Sequence, residues 1–188
     1  VVIKLKEPLN KIQINGNKIK AFAGVHDSEL TRFATKNLKS GLEFLIGIPG
    51  TVGGGIRMNA GCAGKEFKDV ILYAEGFNRD GKIFKLSPND MGMTYRKNKL
   101  PDDWIFTSAT FVTKNDCQIN IKNKVKKNLL NRISSQPKGV KTGGSTFKNP
   151  KDIKAWELID KAGCRNLKNG KARVSSKHCN FIINEGGA

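Results

Sequence analysis

The sequence predicts a mixed α+β fold, on three observations. Two stretches read as β-hairpins closed by glycine-bearing turns. Helical segments fall between and after them without a regular repeat. The 188 residues are 38% apolar and 27% charged, a globular composition that also excludes wholesale disorder.

Taken in order, Lys11–Ile14 and Asn17–Phe22 alternate around Asn15-Gly16, a pair that supplies the positive φ of a tight turn. Asp27 or Ser28 can cap a helix running to about Asn37. Gly41 to Gly64 is rich in glycine and poor in charge. Val70–Phe77 and Lys82–Leu86 form a second hairpin across Arg79-Asp80-Gly81. Ser87-Pro88 resembles a cap followed by a first-turn proline, so a short helix is expected there. Trp104–Thr113 reads as a strand, and Gln118–Ser134 as a basic helix with Ile121, Val125, Leu129 and Ile133 near helical spacing. A further helix, about Asp152 to Ala162, is stopped by Gly163, and Cys179–Asn184 is a closing strand. The long basic helix divides the chain, giving expected domains at 1–115 and 116–188.

The formal charge is +18, which raises the question of a polyanionic partner. The lysines are spread along the chain, and few aromatics accompany them, so neither a basic arm nor a stacking platform for nucleic acid is evident. No apolar run approaches the ~20 residues of a membrane helix. Cys62, Cys117, Cys164 and Cys179 form no C-x-x-C pair and have no histidines at zinc-ligand spacing, so no metal site is expected. Four unpatterned thiols suit a reducing cytosol. His178 and Cys179 are adjacent, and neighbours in a strand face opposite ways, which is poor geometry for a nucleophile pair.

Three segments carry chemistry. The run Gly47-Ile48-Pro49-Gly50-Thr51-Val52-Gly53-Gly54-Gly55 continues to Met58-Asn59-Ala60-Gly61. Glycines let a backbone approach a ligand and bare its N–H groups, as for a pyrophosphate or a flat ring; a flexible linker is the plain alternative. The apolar Leu42, Phe44, Leu45, Ile46 and Ile48 ahead of it argue for anchoring in a core. On this reading a branched side chain at Gly53 fills space that the ligand occupies. Gly143-Gly144-Ser145-Thr146-Phe147-Lys148-Asn149-Pro150 offers an approachable hydroxyl, either as a proton donor or as a turn serine bonded to its own backbone. Met93-Thr94-Tyr95-Arg96-Lys97-Asn98 offers an arginine able to stabilise an enolate or grip a carboxylate, or simply to sit in solvent.

In this order, followed by Val174-Ser175 and Lys177-His178, then Phe181–Asn184, the motifs resemble the UDP-N-acetylenolpyruvoylglucosamine reductase family over nearly the whole chain. The short spacing from Lys138 to Ser145 is similar to the form of the family without an extra tyrosine-bearing loop. The resemblance implies an FAD-binding domain of the vanillyl-alcohol-oxidase (PCMH) type followed by a substrate-binding α+β domain. It implies a cytoplasmic bacterial oxidoreductase of peptidoglycan synthesis that takes hydride from NADPH through FAD to a UDP-sugar enolpyruvyl ether. Arg96 would stabilise the enolate and Ser145 would donate the proton. Gly47, Ile48, Pro49, Gly50, Thr51, Val52, Gly53, Gly54, Asn59, Ala60 and Gly61 would line the flavin, and Tyr95, Lys148 and Asn149 would meet the substrate.

Three departures stand out. Asn98 occupies a position where the family often has serine. The family's G-x-G-S-N loop has no counterpart, because the sequence starts at the strand after it, and Glu185 is not the positional equivalent of the family's C-terminal catalytic glutamate. These departures suggest the middle of a longer enzyme, a split gene with a complementary chain, or a non-catalytic remnant of the fold.

Overall fold

The computed structural model describes residues 7–188, so the strand expected at the start of the chain lies outside the described residues. Strands β1 (Ile12–Asn15) and β2 (Lys18–Phe22) lead to helix α1 (Asp27–Lys36), strand β3 (Lys39–Ser40), a 3-10 turn at Glu43–Gly47 and helix α2 (Val52–Met58). A small hairpin, β4 (Gly61–Cys62) and β5 (Lys65–Glu66), precedes β6 (Ile71–Phe77), β7 (Ile83–Leu86), β8 (Ile105–Val112) and β9 (Lys114–Asn115). The long helix α3 (Gln118–Ser135) is followed by β10 (Lys141–Ser145), α4 (Ala155–Lys161), β11 (Lys168–Asn169), β12 (Ala172–Val174) and β13 (Phe181–Asn184). Two compact units result, Val1–Leu129 and Leu130–Ala188, with the division inside α3.

The first unit is built on an antiparallel sheet of order β1-β2-β8-β6-β7. In the first hairpin Asn15 pairs with Lys18, so the loop is Gly16-Asn17, with Gly16 at φ 57 in the first central position. β8 is the middle strand, and Phe106 and the run Ser108–Phe111 are buried. Ile19, Ala21, Ala74, Ala109 and Phe111 share the face that meets Leu30 of α1, Val52 and Ile56 of α2, and Phe67. Each of the larger buried side chains contributes about 1.5–3 kcal/mol. Across the sheet runs a polar ladder: Glu75 accepts from Ser108 Oγ at 2.6 Å and from Lys20, and Lys85 Nζ lies 3.7 Å from the Tyr73 ring centre.

The second unit carries the antiparallel sheet β10-β13-β12-β11. Its buried side chains are few: Ala155, Cys179, Phe181 and Ile183 among the apolar ones.

Several elements differ from expectation. The glycine-rich run 52–58 is helical. The N-cap of α1 is His26, without a side-chain cap bond, because Asp27 turns its carboxyl inward. Ser87-Pro88 opens a single turn, with Met91 N–H on Ser87 O and Met93 N–H on Pro88 O, and Gly92 at φ 54 ends it. α4 starts at Ala155, not Asp152, whose φ of 66 is incompatible with a right-handed helix. Along α3 only Ile121 is buried, while Leu129 and Ile133 are 41% and 37% exposed. Lys124 of the basic cluster is tied to Asp116 at 2.7 Å and lies 3.8 Å from Glu43.

Candidate functional site

The glycine segment divides by what each missing side chain makes room for. A Cβ on Gly55 would lie 2.1–2.6 Å from the Phe67 ring, and one on Gly47 would lie 2.6 Å from Cys62 Sγ. Gly53 donates its N–H to Ala23 O at 2.9 Å, and a Cβ there would meet Ala23 Cβ at 3.0 Å. A branched residue at Gly53 would therefore press on Ala23, just after β2, whatever lies on its other side. Gly50 and Gly54 are different. A Cβ on Gly54 would meet nothing closer than Thr51 Oγ1 at 3.9 Å, and Gly54 and Pro49 are exposed. This open stretch of bare backbone is a surface against which a flat ring can lie, so the residues present fit a flavin. Val52, Asn59 and Ala60 are buried, and Gly47 and Gly61 pack closely, on Cys62 and on Lys65 and Glu66; the open side is carried by the exposed Pro49 and Gly54 with the half-buried Ile48, Gly50 and Thr51.

Behind Gly50 lies an orphan. Asp27 is fully buried, its Oδ2 would be 3.4 Å from a Cβ on Gly50, and neither oxygen has a hydrogen-bond partner among the described residues. Burial pushes its carboxyl up to about 7.

The Arg96 turn is brought onto the same region. Thr94 and Lys97 exchange both backbone bonds, at 2.8 and 3.1 Å, leaving Tyr95 and Arg96 at the tip. Arg96 has φ 55, a left-handed conformation costly for a non-glycine residue. Its Nη2 donates to Gly61 O at 3.1 Å, and its guanidinium lies 5.8 Å from the half-exposed Tyr95 ring. Asn59, itself at φ 41, donates from Nδ2 to Thr94 O and Glu66 Oε2, both at 2.9 Å, and accepts from Lys68 N–H at 3.0 Å. On the far side of the turn, Asn98 Oδ1 accepts from Arg57 at 3.1 Å and Asn98 Nδ2 donates to Arg57 O at 2.9 Å. Arg57 also reaches Leu100 O, Pro101 O and Asp102. The buried Asn98 is thus satisfied at both ends of its amide, which accounts for its standing where the family often has serine.

In the second unit, Ser145 ends β10 opposite Phe181 and is exposed, as is Lys148. Cβ atoms on Gly143 and Gly144 would meet nothing within 4 Å, so the hydroxyl is openly approachable. Asn149 accepts from Ala155 N–H at 3.0 Å and so also serves as a brace for the start of α4. Asn180, 3% exposed, clasps the loop: it accepts from Phe147 N–H at 2.9 Å and donates to Phe147 O at 2.8 Å, while its carbonyl takes Thr146 N–H. Buried asparagines 59 and 180 were not foreseen as braces. A short polar residue suited to a left-handed C-cap after a helix was the available signal at Asn59, and it was hidden because the glycines concealed the helix.

Other candidates resolve as structural. Cys179 Sγ lies 3.7 Å from Asp160 Oδ1, and burial raises its thiol further from a thiolate. His178 accepts from Asn180 N–H at 3.3 Å and sits edge-on to Trp156 and Phe181, so it does not activate the thiol. Cys117, Cys164 and Cys179 are free thiols, Cys117 being exposed, and no cluster of metal-ligating side chains occurs among the described residues. No helix among them is long and apolar enough to cross a membrane. Glu185 is held by Lys168 and Arg173, both at 2.7 Å, which keep its carboxyl below the usual range.

Residues 1–87 match the FAD binding domain family, and residues 136–188 match the family of the UDP-N-acetylenolpyruvoylglucosamine reductase C-terminal domain. Similar proteins include the UDP-N-acetylenolpyruvoylglucosamine reductases of Anaplasma marginale, 48% identical over all of this chain and 63% of its own length, and of Rickettsia prowazekii, 46% identical over all of this chain and 64% of its own. That of Paramagnetospirillum magneticum is 45% identical over all of this chain and 61% of its own. The crystal structure of UDP-N-acetylenolpyruvylglucosamine reductase from Thermus caldophilus superposes with a TM-score of 0.84 at 37% identity, covering 90% of this chain and 62% of that one. The chain thus spans about three fifths of the length of the relatives it matches.

Proposed function

The chain belongs to the UDP-N-acetylenolpyruvoylglucosamine reductase family, and on that premise we propose that it carries the flavin-lining and proton-donating parts of an NADPH-dependent, FAD-mediated reductase. The substrate is the enolpyruvyl ether of UDP-N-acetylglucosamine and the product UDP-N-acetylmuramate, a peptidoglycan precursor. A nucleotide sugar and a nicotinamide cofactor place the reaction in the cytoplasm. The observation that most supports this reading is the bond from Arg96 to Gly61 O, which ties the arginine to the glycine segment 35 residues away.

When bound, FAD supplies hydride transfer, refreshed by NADPH. The protein's own groups do the rest. Ile48, Pro49, Gly50, Thr51 and Gly54 offer the surface that holds the ring. Arg96 spends one donor on Gly61 O, leaving the rest of its guanidinium for negative charge developing on the enolate as hydride arrives at C3. The Ser145 hydroxyl donates its proton to C2, completing saturation of the double bond. Tyr95 and Lys148 lie exposed for contacts with the substrate, and Asn149, half-buried, combines that role with its brace on α4.

A non-catalytic form of the fold is the alternative against which this reading is tested. A chimera distinguishes the two. In the Anaplasma marginale enzyme, the matched segment is replaced by this chain. The expected product is yellow, its flavin is reduced by NADPH alone, and it turns NADPH over continuously only when the enolpyruvyl substrate is present. A folded chimera that binds flavin but never passes electrons to substrate establishes the non-catalytic reading, and a folded, colourless one removes the flavoprotein reading altogether.

A further inference from the structure

We propose that Asn59 is a positioning residue for Arg96, holding the arginine's turn through Thr94 rather than touching any ligand. This rests on the role given to Arg96 above. Asn59 is fully buried, and every polar atom of its amide is used inside the protein: Nδ2 on Thr94 O and Glu66 Oε2, Oδ1 on Lys68 N–H. Its side chain has no donor left for a flavin or a substrate. Thr94 O is also the acceptor for Lys97 N–H, so the amide of Asn59 fastens one of the two bonds that close the turn. Arg96 sits between those bonds in a left-handed conformation, which persists only where its surroundings over-determine it. The same asparagine fixes the loop at Glu66 and Lys68, and β4, which carries Gly61, pairs with β5 at Glu66. One side chain therefore sets both the turn that bears Arg96 and the strand pair that bears its acceptor, Gly61 O.

Hydrogen exchange on the chain itself tests this without reference to activity. Asn59→Asp keeps the left-handed tolerance and the acceptor for Lys68 N–H but loses the donors to Thr94 O and Glu66. We expect the Thr94 and Lys97 amides to exchange at least tenfold faster, with Phe111 in the central strand unchanged. Unchanged exchange at Thr94 and Lys97 overturns the proposal. Should the variant fail to fold, the unaltered protein still decides: in a denaturant series Lys68, Thr94 and Lys97 should open together, and separate opening of Lys97 overturns the proposal. In the chimera, Asn59→Asp added to Arg96→Ala should slow flavin reoxidation no more than Arg96→Ala alone; a multiplied loss overturns it. Arg96→Ala reoxidising at the full rate counts instead against the functional reading of Arg96, which the exchange data leave separate.

Discussion

The Arg96 turn and the Ser145 loop each hang on one buried asparagine, yet their settings differ. Asn59 works inside the larger core, beside helix α2 and the β4–β5 pair, and the turn it holds is gripped a second time by Arg57 and Asn98. Asn180 works at the rim of a small sheet with few buried side chains, and the hydroxyl beside it is open. Under the proposed roles, the difference matches what each group would have to do. A guanidinium that stabilises developing charge must be aimed beforehand, because reorienting it during the reaction costs what it would gain. A hydroxyl at a strand end needs only the right backbone register to deliver its proton.

The glycines draw the same contrast, and they give the largest expected effect. Gly55→Val drives a side chain into Phe67, which is fully buried and in edge contact with Phe111 at 5.9 Å. The expected loss is at least about 5 kcal/mol, enough to unfold the first unit. Gly143→Ala, in open space and without positive φ, should change stability by less than about 1 kcal/mol. Circular-dichroism melts of both variants check the pair; equal losses would erase the distinction between packing and exposed glycines.

Next come the two catalytic assignments, read in the chimera by stopped-flow absorbance. Ser145→Ala should leave flavin reduction by NADPH nearly intact and slow reoxidation by about 10²–10⁴-fold. Arg96→Ala should impair the same half-reaction by about 3–4 kcal/mol, and Arg96→Lys should recover only part, since a point charge lacks the planar fork. Slowed reduction with normal reoxidation would reverse the role given to Ser145. Asn180→Ala should cost the second unit about 2–3 kcal/mol, by leaving Phe147 N–H and C=O without their partner. Heteronuclear spectra should show the change centred on Thr146 and Phe147; a shift spread evenly over both units would contradict a local brace.

Much of this was legible in the sequence. The hairpins announced themselves through Gly16 and Gly81, both with positive φ, α1 through the cap candidates at its start, and α3 through its apolar spacing. Helix α2 was hidden, because three consecutive glycines each oppose a helix by about 1 kcal/mol. Close approach to Ala23 and Phe67 outweighs that propensity, and close approach is a tertiary fact. Strands β10 to β12 were missed because β10 carries two glycines and β11 and β12 span only two and three residues, too short to show the alternation that marks a half-buried strand. Arg96 and Ser145 stood out through the motif order; Asn59 was marked only as a flavin-lining residue, Asn98 only as a departure from the family and Asn180 not at all, so none was expected as a buried brace. Sequence patterning reports which apolar residues go inside; it is silent on a polar residue buried because it is fully hydrogen-bonded.

The smallest effect separates the units by pH. In the first unit, Asp27 titrates near 3.8 when unfolded and about 7 when folded, because burial disfavours its charge. Between these values the folded chain keeps a proton that the unfolded chain has released. The stability tied to this group is therefore full below about pH 4, falls as pH rises to about 7, and stays level above. At about 1.4 kcal/mol per unit the loss is at most about 4 kcal/mol, and relaxation around a buried carboxylate brings the expected figure nearer 2. Asp27→Asn removes the titration, so the gap between variant and wild type should widen by about 2 kcal/mol from pH 4 to pH 8. In the second unit the sign is opposite. Arg165 lowers Asp160, and Lys168 and Arg173 lower Glu185, so their contributions are present above the usual carboxylate range and fade as pH falls through it. Denaturant unfolding followed at residues of each unit should then show the first unit losing stability toward neutral pH while the second holds. Parallel curves for Asp27→Asn and wild type would mean that the carboxyl finds a donor in solution, a bound water being the simplest, and that the space behind Gly50 is wet.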